Sequence, residues 1–164
     1  MRLAAVLLLG LYLTDCGGSS SSLADSHESP EALTRAVLIA MERKDTNALN
    51  ALALSEQEFR AHVWPELPAS RPERNLPFSY VWGDLHQKSE ARLAQTLALH
   101  GGAKYSLTAV RFRGETTVYP SYRVHRESEI AVRDPQNREQ NVRLFGSVIE
   151  KAGRFKVFSY VTED

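Results

Sequence analysis

The chain has 164 residues, and its 20 lysines and arginines are balanced by 20 aspartates and glutamates. Zero net charge argues against nonspecific nucleic-acid binding, which needs surplus cations to release counterions from phosphates. A single cysteine rules out an internal disulfide framework and a cysteine-type zinc site, so one hydrophobic core must hold the fold.

Arg2 precedes an apolar run at residues 3–13, followed by Thr14, Asp15, Cys16, Gly17, Gly18 and the serines 19–22. A basic head, a short apolar core and a small-residue exit predict an export signal. The run is too short to span a bilayer as a mature helix. These residues resemble a bacterial lipoprotein signal, with Asp15 standing where that family carries a small residue. The resemblance implies that Cys16 is lipidated and becomes the new N-terminus, which anchors the protein to the cell envelope. Gly17 after the cysteine implies the outer membrane if the organism has two membranes. The competing reading is an ordinary signal peptide cut elsewhere, with Cys16 a bystander. The expected organisation is therefore a signal and lipidation cysteine at 1–16, a Ser-rich flexible tether at 17–28 and a single α+β domain at 29–164.

Ser29, Pro30 and Glu31 predict a helix start: a capping hydroxyl, a proline at the first helical position, and an acid at the positive end of the dipole. Leu33, Val37, Ala40 and Met41 recur at helical spacing as far as Lys44. Asp45 opens a second helix carrying Leu49 and Leu52. Ser55 and Glu58 have capping-box spacing and restart a helix through Phe59, His62 and Val63. Trp64-Pro65 ends it, and a Pro-rich loop runs to Leu76. Pro77 opens the longest helix, with Phe78, Val81, Trp82, Leu85, Leu93 and Leu97 as its stripe and Gly101-Gly102 as its end. Gly83 within that stripe suggests that another group needs the space.

From Lys104 the period becomes two. Residues 105–112 predict a strand turning near Gly114, and residues 116–133 a long second strand with Pro120 at an edge or bulge. Residues 142–148 and 155–161 give a third and fourth strand, joined by a turn at 151–153. Helices followed by four consecutively linked strands predict an α+β fold with an antiparallel meander. This order, ending in Gly146-Ser147-Val148-Ile149-Glu150 and Gly153-Arg154-Phe155-Lys156-Val157, resembles the nuclear transport factor two-like (cystatin-like) cone fold. That family includes isomerases, dehydratases, hydrolases and inert binding modules, so the resemblance licenses no activity.

The candidates for chemistry are few. Arg123, His125, Glu127 and Glu129 fall at alternate positions, so they share one strand face. If that face lined a cavity, His125 is a candidate base; the expected alternative is a solvated face, since Val124, Ile130 and Val132 occupy the other side. Asp84 and His86 flank Gly83 and Leu85 and are candidate acid and base, although residues two apart on a helix diverge. Glu58 with His62, and His86 with Glu90, each have the spacing of half a metal site; with no third ligand, a hydrogen bond is the simpler expectation. No cofactor motif or metal set is apparent. Two function classes follow: a noncatalytic lipoprotein binding a protein partner or a small apolar ligand, or a small cone-fold enzyme using His125, Asp84 or His86. The first is preferred, because no titratable pair has a spacing that demands chemistry.

Overall fold

The computed structural model describes residues 22–162, so the segment 1–16 expected to be a signal, with Cys16, lies outside the described residues. The architecture is mixed α+β: helices come first in the chain and two antiparallel sheets follow.

Helix α1 spans Pro30–Arg43. It is capped as its sequence dictates, with Ser29 Oγ accepting from the Ala32 amide at 3.1 Å. Asp45 caps α2 (Thr46–Ala51) in the same way. Ser55 and Glu58 close a reciprocal capping box on α3 (Glu56–Glu58), which runs on as a π-helical turn, Phe59–Val63. The Pro-rich stretch forms three single 3₁₀ turns, Trp64–Glu66, Pro68–Ser70 and Pro72–Arg74. Helix α4 then runs from Phe78 to His100. Among the described residues no helix is long and apolar enough to cross a membrane.

Four unbroken strands do not form. Among the described residues, seven short strands, β1 (Ser106–Phe112), β2 (Thr117–Val118), β3 (Arg123–His125), β4 (Ser128–Arg133), β5 (Glu139–Val142), β6 (Ser147–Lys151) and β7 (Arg154–Ser159), build sheets ordered β1-β4-β5 and β2-β3-β6-β7. All pairing is antiparallel: β2 with β3, β4 with β5 and β6 with β7 are chain neighbours, while β1 with β4 and β3 with β6 each reach across two intervening strands. The breaks fall side by side at residues 113–116, 126–127 and 143–146, so the sheet surface bends along one line. Two features hold the bend. Glu127 has φ 53, a left-handed conformation that interrupts the ladder. Gly146 passes so close to the Val161 carbonyl that a Cβ there would lie 1.5 Å from its oxygen. The hairpin turn also moves. It forms at Pro120-Ser121, closed by the Tyr119 amide on the Tyr122 carbonyl at 2.9 Å, because proline needs no ladder partner. Gly114 marks a break instead.

The described fold begins before Ser29, where the sequence places its start. Leu23 is buried, the Ala24 amide donates to Glu58 Oε1 at 2.8 Å, and His27 pairs with Phe155 as an isolated bridge. Residues 23–28 therefore belong to the fold. A leucine at the end of a polar run carries no periodic signal, which is why the local reading placed it in the linker.

Among the described residues two hydrophobic clusters result. One packs α1 and α2 against β4, β5, β6 and β7 around Leu33, Met41, Ile130 and Val148. The other gathers Leu23, Phe59, Val63, Tyr122 and Ile149, with Phe78, Trp82 and Phe158 packed on it.

Candidate functional site

Helix α4 lines two neighbouring concavities. Its buried residues are Ser89, Leu93 and Thr96, all in its C-terminal part, while Phe78, Val81, Trp82 and Leu85 are only half-buried. The N-terminal part packs Phe78 and Trp82 on Phe59 at ring distances of 6.0 and 5.3 Å and leaves space on either side. On one side lies a cleft of about 400 Å³ between α4 and the bent sheet, walled by Phe59, Val81, Leu85, Tyr122, Val124 and Phe158. Leu85 and Phe158 also line a second cavity of about 360 Å³, which extends toward Leu54, Trp82 and Tyr160. A cleft of this size takes a small ligand.

Charge is confined to a few side chains of the first cleft: Asp84, Lys88, Arg126, Glu127 and Arg143. Asp84 is exposed and pairs with Lys88 at 2.8 Å, one helical turn on. Tyr122 donates to the Val63 carbonyl at 3.4 Å, and burial pushes its phenol well above the ordinary value, so it stays neutral.

The three sequence candidates do not converge. Asp84 lines the first cleft, and exposed His86 lines the second cavity, stacked on Trp82 at 5.2 Å and 3.3 Å from Glu90. His125 lines neither. It is also not on a solvated face, as expected, but half-buried. Nε2 lies 2.9 Å from Glu150 Oε2, Nδ1 lies 3.1 Å from Thr116 Oγ1, and the ring stacks on Phe112 at 4.9 Å. The break at residues 126–127 separates its strand from β4, so Phe112 can cover it. Arg123 contacts Glu150 at 3.4 Å and Glu129 contacts Arg113 at 2.7 Å, which uses the rest of the charged row in cross-strand pairs. Glu127 departs from that row and lines the cleft.

Glu58 and His62 do not form a pair either. Glu58 is buried against Lys156, with Nζ 3.0 and 2.9 Å from its two oxygens, and Ser55 donates to it as well. Burial would raise this carboxyl, but the Ser55 backbone N–H and the Lys156 ammonium outweigh it and hold it below its ordinary value. Sequence reasoning missed this pair; the capping box signalled Glu58, and nothing local signalled that Lys156 on β7 would meet it. Gly83 faces open space, so no neighbour explains it. Among the described residues, no group of three potential metal ligands exists.

No protein-family model, curated protein or solved structure matches this chain.

Proposed function

We propose that this chain is an exported envelope lipoprotein, lipidated at Cys16, whose α+β domain is a noncatalytic module that binds a small apolar ligand between α4 and the bent sheet. In this reading the helices close over the concave side of the sheet, as in the nuclear transport factor two-like cone, although no described strand precedes α4. The observation that carries it is the cleft itself, with walls formed by Phe59, Val81, Leu85, Val124 and Phe158 and with Asp84 paired to Lys88. Asp84, His86 and His125 lie apart and supply no general acid–base pair aimed into it.

Two measurements test the proposal. A neutral apolar fluorophore, N-phenyl-1-naphthylamine, should brighten on binding wild type and not Leu85→Trp, which fills the space between the two cavities. Equal brightening would place the dye elsewhere and sink the cleft reading. Labelling of cells with an acyl precursor should mark wild type and not Cys16→Ser; an unlabelled wild type defeats the anchor.

A second reading has one specific observation behind it: the line Thr116–His125–Glu150 has the connectivity of a hydroxyl, a base and an orienting acid. A cone-fold enzyme of hydrolase type would use it. Ester hydrolysis that is lost in both His125→Ala and Thr116→Val would favour this reading over the binding module.

A further inference from the structure

We propose that the two cavities beside α4 are halves of one site, and that its ligand is an elongated, uncharged single chain that passes between Leu85 and Phe158. The proposal rests on the α4 cleft being a binding site and adds the shape and charge class of what enters it.

Among the described residues, Leu85 of α4 and Phe158 of β7 line both cavities. The partition is therefore built of apolar side chains on facing elements. Phe158 sets its edge against Phe59 at 6.3 Å, and half-buried Leu85 is the member left to change rotamer. Apolar surface continues on either side of it, from Val81 and Val124 in the first cleft to Leu54, Trp82 and Leu93 in the second cavity. A compact ligand can cover only one of these surfaces. A chain that crosses the partition covers both, and the gain grows with the apolar area removed from water.

Neither lining singles out an ionised ligand. Asp84 holds Lys88 at 2.8 Å, and Arg126 and Glu127 contribute one charge of each sign. Arg143 has an interaction of its own and is not a free cation. In the second cavity Glu56 lies 2.9 Å from Arg60 and Glu90 lies 3.3 Å from His86, so each carboxylate has a nitrogen partner. Nearby hydroxyls are also engaged: Ser159 Oγ accepts from the Val161 amide and Ser89 Oγ from the Tyr160 amide. An ionised end would lose its water for no dedicated partner, which is costly. An uncharged chain carries no such cost.

The test uses the full chain with N-phenyl-1-naphthylamine bound, and displaces the dye with 1-hexanol, 1-octanol and 1-decanol. If one site runs through both cavities, each added methylene should lower the displacing concentration about fourfold over the whole series. Ala53 lines the second cavity and not the first cleft. Ala53→Leu should leave displacement by 1-hexanol unchanged, which also reports an intact cleft, and should end the gain at a shorter chain than in wild type. Trp64→Phe leaves Trp82 as the sole tryptophan of the chain. Without dye, 1-decanol should shift Trp82 emission to shorter wavelength, with the same dissociation constant that dye displacement gives. If Ala53→Leu disturbs 1-hexanol as well, the Trp82 measurement decides alone. Decanoate and decyltrimethylammonium, below their micelle concentrations, should each displace the dye more weakly than 1-decanol. A gain that ends at the same chain length in wild type and Ala53→Leu, or two different dissociation constants, overturns the single site and leaves the cleft reading standing. An ionic chain that competes as well as 1-decanol or better overturns the uncharged ligand. Failure of every compound to displace bound dye overturns the cleft reading itself.

Discussion

Glu58 and Lys156 put opposite charges inside the fold; Lys156 Nζ donates to both Glu58 oxygens, which also accept from the Ala24 and Ser55 amides. Removing one member leaves the other charge buried and uncompensated, which costs about 3–5 kcal/mol. Glu58→Gln and Lys156→Met should therefore each lower the urea midpoint strongly, and the double variant should recover much of the loss. Additive losses would show that the charges do not act as a pair. The acid response has a definite sign. The folded carboxyl titrates below its ordinary value, so its contribution is complete above the unfolded value of about 4.3 and disappears as pH falls through the folded value. Glu58→Gln should flatten the acid limb of the stability profile; an unchanged limb contradicts the assignment.

Two glycines make opposite predictions at the same scale. Gly83 lies within α4 with open space around its Cβ position, so Gly83→Ala should stabilise by about 0.5–1 kcal/mol through helix propensity. At Gly146 a Cβ would collide with the Val161 carbonyl, and Gly146→Ala should destabilise by about 1–3 kcal/mol or more, because backbone must move. Thermal melts of the two variants decide both; a shift of the same sign in each would contradict the space seen around them.

At the scale of elements, the segment before α1 is informative. Leu23 is 4% exposed, Ala24 caps a Glu58 oxygen, and His27 bridges Phe155 in both directions at 2.8 Å. A chain beginning at Ser29 forfeits all three contacts. The Leu23 side chain alone is worth about 1.5–3 kcal/mol, so the shortened chain should melt more than about 5 °C below one beginning at Gly17. Equal melting would return these residues to the tether. Helix α4 is unequal along its length. Its C-terminal part is tied by Ser89 Oγ to the Tyr160 amide at 3.0 Å and by buried Leu93, while its N-terminal part spans the two cavities. Amides of residues 82–88 should exchange hydrogen faster than those of 92–97, because opening the cavity-facing part uncovers less packed surface. The reverse order would mean that α4 is anchored at its N-terminal end.

At the scale of the whole molecule, the helices, their starts and the change to strand period were legible from local signals. A serine or aspartate that caps a helix acts within three residues of itself, so Ser29, Asp45 and the Ser55/Glu58 box read correctly from the chain alone. The apolar alternation of the C-terminal half predicted strands because side-chain direction repeats every second residue whatever the partner. What tertiary structure decided was where those strands break, which charges become buried, and where space is left. The bend depends on Gly146 meeting Val161 and on Glu127 in a left-handed conformation, and no local propensity announces either. Lys156 reads as a solvent-facing strand residue until α3 brings Glu58 to it across 98 positions of sequence. His125 reads as solvated until Phe112 covers it. The cleft is the clearest case. It lies where Val81 and Leu85 of α4 face Tyr122, Val124 and Phe158 of the sheet, a relation between elements that the residues of neither element encode.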